Sequence, residues 1–198
     1  MVTEGIREIT ERGIVTSDGA EHEADVIVFG TGFRVTDQPV AHLVRGRLGR
    51  TLAETWRGSP RAHLGTSVSG FPNLFLLLGP NTGLGHSSVV LMIEAQIEHV
   101  LKALSHLERR GASTIEPRIE AEDAFVARVD RDMEGTTWVA GGCASWYLDE
   151  TGRNSTLWPG TTIAFRRLLD RFDPSDYLIE GAPSRAPSLR PVPAPAAP

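Results

Sequence analysis

Three stretches carry residue types that could hold a ligand or act on one. The first is Gly79-Pro80-Asn81-Thr82-Gly83-Leu84-Gly85-His86, where glycines let a partner approach the backbone and the period changes to about 3.6 from Ser87 onward. A turn that opens a helix leaves N–H groups without partners, here those of residues 84–88, and suits an electron-rich or anionic group. The same glycines would equally serve a plain tight connection. It is not a phosphate loop, because no Gly-Lys-Ser/Thr follows and residues 83–88 lack the third glycine of a dinucleotide fingerprint. The second stretch is Gly30-Thr31-Gly32, which closes the apolar run Val26-Ile27-Val28-Phe29 as a buried strand does where it reaches a crevice. The third runs from Trp138 through Gly141-Gly142-Cys143, Ser145-Trp146-Tyr147 and Gly152-Arg153-Asn154 to Trp158. Aromatics and glycines without a period suggest a shaped loop lining a pocket.

Few groups suggest proton transfer or nucleophilic chemistry. His86 could serve as a general base, or simply pack or hydrogen-bond at the helix start. His42 and His63 have no serine, cysteine or metal-ligand spacing around them and read as surface or structural residues. Cys143, the single cysteine, has no neighbouring base or cation at fixed spacing and reads as packed. Trp158 reads as core.

These stretches need elements to position them. Asn73-Leu74-Phe75-Leu76-Leu77-Leu78 reads as a strand buried on both faces, ending at Gly79-Pro80. Residues 87–110 read as a helix with Val90, Ile93, Ile97, Val100, Leu104 and Leu107 on one face, closed by Arg109, Arg110 and Gly111. Ahead of these, residues 6–9, 14–16 and 20–24 are short extended runs around Ser17-Asp18-Gly19, a hairpin pattern. Residues 113–117 read as a strand, 120–133 as an acidic amphipathic helix and 161–171 as a further helix. The class is α/β, with an antiparallel meander and with residues 25–29 and 73–78 as neighbouring parallel core strands crossed by the long helix. Residues 181–198, rich in proline and alanine, read as a disordered tail.

The chain has 198 residues and a net charge of −5, which fits a globular domain and gives no basic patch for nucleic acid. A lone cysteine excludes an internal disulfide and a cysteine metal cluster and fits a reducing compartment. No apolar run reaches the ~20 residues of a membrane span, so cytoplasm is the default expectation.

Phe71-Pro72-Asn73-Leu74-Phe75, Leu78-Gly79-Pro80-Asn81 and a helix carrying Ile93-Glu94-Ala95-Gln96 together resemble the C-terminal part of flavin-dependent monooxygenases, above all the Baeyer-Villiger and 4-hydroxyacetophenone monooxygenase group. Asp25 through Phe33 resembles the family's Asp-x-x-x-x-Ala-Thr-Gly-Phe/Tyr link between its NADP and FAD domains, with Gly30 in place of alanine. Ser145-Trp146 and Gly152-Arg153-Asn154 resemble its C-terminal Ser-Trp segment.

The resemblance implies part of a fold with two dinucleotide-binding domains. Residues 1–33 would end the NADP-binding domain and form a hinge, and residues 34–180 would be the C-terminal part of the FAD-binding domain with loops covering substrate and NADP. The implied cofactors are FAD and NADP, and the implied reaction puts one oxygen atom from O2 into a ketone or onto a heteroatom. Gly30, Thr31 and Gly32 carry over as a hinge near the cofactors, Gly79, Pro80, Asn81, Leu84, Gly85 and His86 as the flavin-facing turn, and Trp146 as an NADP contact. The family's arginine and its Phe-x-Gly-x-x-x-His-x-x-x-Trp fingerprint have no counterpart here, nor does either Gly-x-Gly-x-x-Gly, so no catalytic residue and no metal ligand is assigned. The chain therefore reads as a fragment, or as a non-catalytic subunit offering a cofactor-binding face to a separately encoded N-terminal flavoprotein partner.

Overall fold

The computed structural model describes residues 1–30, 35–141 and 145–181. The chain divides into two compact units, Met1–Phe33 and Arg34–Pro198. In the first, β1 (Ile6–Thr10), β2 (Gly13–Thr16) and β3 (Glu21–Glu23) form the expected antiparallel meander in the order β1-β2-β3. Its second turn closes where the Gly19 N–H donates to the Thr16 carbonyl, while the Thr16 hydroxyl donates to Asp18 Oδ1 at 2.6 Å. Asp-Gly suits this turn because the aspartate oxygen accepts locally.

The second unit holds α1 (Leu52–Trp56), α2 (Val89–Arg110), β4 (Thr114–Pro117), α3 (Ile119–Met133), α4 (Thr137–Ala140), α5 (Thr162–Asp170) and β5 (Tyr177–Glu180). α1 is short but carries a full capping box, in which Thr51 and Glu54 satisfy each other's backbone N–H groups. α2 starts where the Ser88 hydroxyl accepts from the Val90 N–H and stops at Gly111 in the left-handed conformation. β4 and β5 pair antiparallel. The sequence reading missed β5, although Tyr177-Leu178-Ile179 is a short apolar run behind a proline turn. α2 and α5 pack together, with Met92, Ala95, Phe125, Val129, Phe165 and Leu169 in the cluster they share with α3.

The mixed α/β class holds, built from small antiparallel sheets and helices. The two parallel core strands do not appear among the described residues. Residues 25–29 have no regular structure, fall in the first unit and leave Val26, Val28 and Phe29 exposed, whereas residues 73–78 lie in the second. The reason is pairing. A strand needs a neighbour for its N–H and C=O groups, and no ladder partner faces residues 25–29 among the described residues. Residues 73–78 instead tie themselves to unrelated segments: Asn73 N–H to Ile115, Leu76 N–H to Thr66, and Leu78 N–H to the Gln96 side chain. Asn73 and Leu78 both have positive φ, which bends the chain out of a strand at each end.

α2 also turns a different face inward. Met92, Ala95, Gln96, His99, Ala103 and Leu107 are buried, while Val90, Ile97 and Leu104 of the apolar stripe are exposed and Ile93 and Val100 are half-buried. Gln96 is fully buried and donates from Nε2 to the Gly65 and Leu76 carbonyls and to Thr66 Oγ1, while its Oε1 accepts from Leu78 N–H. Polar satisfaction, not apolar count, sets this rotation.

Candidate cofactor-facing site

Residues 79–85 run beside residues 153–158 and are stitched to them. Asn81 N–H donates to Ser155 O at 2.8 Å, Gly83 N–H to Thr156 O at 2.9 Å and Trp158 N–H to Gly83 O at 2.9 Å, with a parallel bridge between Gly83 and Leu157. Buried Asn81, itself at positive φ, donates from Nδ2 to the Asn154 and Leu157 carbonyls. Asn154 Oδ1 in turn accepts from the Thr156 and Leu157 N–H groups.

The glycines of the turn serve this stitching. A Cβ on Gly79 would lie 2.3 Å from Gly65 O, one on Gly83 2.9 Å from Thr156 O, and one on Gly85 2.6 Å from the Trp138 ring. Protein fills those spaces, so the plain tight connection accounts for them. The helix opens at Val89, where Ser88 already accepts from the Val90 and Leu91 N–H groups.

A cavity of about 310 Å³ opens against this layer. Its walls include Trp56, Leu76, Leu78, Gly79, Pro80, Gly83, Leu84, Val89, Trp146 and Ser155-Thr156-Leu157. Among the described residues no lysine or arginine lines it. Its size is at the lower end of the ~300–1,000 Å³ of ligand pockets. An apolar slot of this kind fits a flat ring system, and its described walls offer no cation to a diphosphate.

Of the residues singled out in the sequence, the cavity gathers Gly79, Pro80, Leu84 and Trp146. Asn81 lies behind the wall as a brace. Gly85 and His86 are exposed and outside the lining, and His86 Nε2 lies 3.3 Å from the Gly160 carbonyl, to which it donates in the matching tautomer. Helix-start packing is what the geometry supports for His86, because the cavity does not reach its ring. Gly30 belongs to the other unit, and Thr31, Gly32 and Cys143 lie outside the described residues. Trp146 is half exposed and rests on Tyr147, centroids 4.1 Å apart, which meets Trp138 edge-on. Trp158 is buried in the core.

Sequence reasoning passed over Trp56, Ser155, Thr156 and Leu157 as lining. The last three directly follow Gly152-Arg153-Asn154, so adjacency was the available signal. Asp149 shapes the loop from behind: burial pushes its carboxyl up, but hydrogen bonds from Ser59 and Thr151 outweigh it and hold the group below the ordinary carboxylate range.

Farther from the cavity lies a buried polar cluster. His99 Nδ1 faces the Leu169 carbonyl at 3.0 Å and its Nε2 faces the Tyr177 hydroxyl at 2.8 Å, so the ring donates from Nδ1 and accepts from tyrosine. His63 Nδ1 faces the Ala121 carbonyl at 3.2 Å. Burial lowers both imidazoles against those carbonyl bonds, and burial raises the tyrosine. Both histidines are structural, as expected for His63.

The chain is 48% identical over 195 residues to a Baeyer-Villiger monooxygenase of Streptomyces coelicolor, a match covering 98% of this chain and 36% of that protein. The chain is a relative of the Baeyer-Villiger monooxygenases. Among solved structures it is similar to a closed cyclohexanone monooxygenase, with 30% identity and a TM-score of 0.71 over 89% of this chain and 34% of that one. A steroid monooxygenase bound to NADP matches with 32% identity and a TM-score of 0.68, over 89% and 34% of the two chains. The chain thus spans about a third of the length of the Baeyer-Villiger relatives it matches. No family model matches it. Among the described residues no helix is long and apolar enough to cross a membrane.

Proposed function

We propose that this chain supplies the ring-facing wall and the NADP-side loop of an FAD- and NADPH-dependent monooxygenase acting on a small ketone or a heteroatom substrate. The observation that carries the reading is the cavity itself, which joins Gly79, Pro80, Leu84 and Trp146 in a slot whose described walls are mainly apolar and carry no cation. FAD, when bound, supplies the oxygen-transfer chemistry through its ring. The residues here do three things toward it. Gly79, Pro80, Gly83 and Leu84, held in place by residues 153–158, present a rigid edge to a ring. Leu76, Leu78 and Leu157 exclude water. Trp146 offers an indole face and one N–H donor to a ribose or nicotinamide edge. The diphosphates need glycine-rich helix starts with their own donors, which this proposal assigns to a dinucleotide-binding region, joined to this chain or encoded as a separate flavoprotein partner, in the cytoplasm.

The test is to purify the chain, add FAD, and measure flavin retained after desalting together with NADPH oxidation. The expectation is a colourless, inactive chain that gains both properties when the dinucleotide-binding two-thirds of a relative is supplied. In that assembled enzyme, Trp146→Ala should raise the KM for NADPH several-fold or uncouple NADPH oxidation from oxygen insertion. Retention of FAD and NADPH turnover by the chain alone would refute the division of labour, and unchanged kinetics of Trp146→Ala would remove Trp146 from the site.

A further inference from the structure

Arg153 is not among the residues that line the cavity, yet it reaches segments that form several of its walls. Its Nη2 donates to Asn81 Oδ1 at 2.7 Å, its Nη1 to the Pro60 carbonyl at 2.9 Å and its Nε to Asp130 Oδ1 of α3 at 2.7 Å. Pro60 lines the cavity on the Trp56 side, Asn81 follows lining residues Gly79 and Pro80, and Arg153 precedes lining residues 155–157 in its own segment. The backbone of Arg153 is fixed too, exchanging bonds with Asp149 across the base of the loop that carries Trp146. The bridge between Leu148 and Asn154 closes that base.

We propose that Arg153 is a positioning residue that sets the spacing between the loop bearing Trp146 and the turn at residues 79–84, and with it the width of the cavity. This inference rests on the reading of the cavity given above as ring-facing. Three acceptors in three directions require a planar fork of donors. A lysine at this position satisfies one of them. Without the fork, Asn81 Oδ1 loses its charged donor at a site only 1% exposed, and the amide is free to turn away from the Asn154 and Leu157 carbonyls that it holds. The looseness then spreads along the stitches at Asn81, Gly83 and Trp158, and no farther.

Arg153→Lys and Arg153→Met test this in the full chain by hydrogen exchange. The expected result is at least about tenfold faster exchange of the Asn81, Gly83 and Trp158 amides in both variants, with α2 and the β4–β5 pair unchanged. Unchanged exchange at those three amides, or equal acceleration in α2 and β4–β5, would overturn the proposal, the second because it reports a general loss of stability. Should Arg153→Met fail to fold, Arg153→Lys decides. In the chain assembled with a dinucleotide-binding region, Arg153→Lys should raise the KM for NADPH several-fold with kcat within twofold. If Trp146→Ala raises that KM and Arg153→Lys does not, the positioning role falls and the cavity reading stands. If neither variant moves it, the cavity reading falls and takes this inference with it.

Discussion

Acidification should weaken the second unit over a range in which its carboxylates are still ionised. His63 and His99 are buried, and each gives its Nδ1 proton to a backbone carbonyl. Burial therefore holds both imidazoles neutral below the ordinary histidine value near 6.5. The unfolded chain has no such restriction and takes up protons as the pH falls through about 6.5. Since it binds more protons than the folded chain there, stability falls with pH, and the fall stops once the pH passes below the depressed folded values. At pH 5.5 the titration of the unfolded chain sets a ceiling of about 1.4 kcal/mol per histidine, or about 3 kcal/mol for the two, relative to pH 7.5. Carboxylates held low, such as Asp149, add their own loss only as the pH approaches their unfolded values near 4. Urea unfolding followed by tryptophan fluorescence at pH 7.5, 6.5 and 5.5 measures the effect, and all four tryptophans, at 56, 138, 146 and 158, lie in the second unit. His99→Gln should be less stable at pH 7.5 but lose about half of the drop to pH 5.5. A pH profile that stays flat for the natural chain, or keeps its full slope in a His63→Gln, His99→Gln double variant, would refute the argument.

Other substitutions probe the frame of the site. Gln96→Leu should cost about 3 kcal/mol, because four hydrogen bonds go and buried partners are left unpaired; the same urea assay reads it, and a loss below about 1 kcal/mol would mean those partners find others. Gly65→Ala should cost about 2–4 kcal/mol, since φ is +62° and the new methyl would meet Thr82 Cγ2 at 2.2 Å and Pro80 O at 2.8 Å. Unchanged stability there would show that the turn at residues 79–82 yields easily.

Local signals were legible in the sequence, and long-range pairing was not. The stop of α2 at Gly111 and the Asp18-Gly19 turn depend on neighbours a few residues apart and could be read directly, whereas β4 was read from its own residues and its partner β5, far along the chain, was not. Residues 25–29 and 73–78 look like strands because strand propensity is written in side chains, but a strand exists only where another backbone answers it. Trp146 and the turn at 79–84 were visible as unusual composition, and the cavity does gather part of them. The purpose of the glycines stayed open in the sequence, because a missing Cβ makes room equally for a ligand or for another stretch of chain. Arg153 was visible only as part of a motif, since its three acceptors are 23, 72 and 93 residues away.

The rotation of α2 has a consequence for anyone redesigning this protein. The helix offers two candidate inner faces, and the one richer in aliphatic side chains leaves Val90, Ile97 and Leu104 exposed. Gln96 and His99 act as a key that only one lock accepts, since the hydrogen bonds they make exist in one orientation alone. Replacing them with leucine or phenylalanine would improve any tally of buried hydrocarbon while removing the information that tells the helix which way to face. The expected product is a protein with similar helix content and a mixture of rotated cores, so recovery of secondary structure would be a poor measure of success for such a variant.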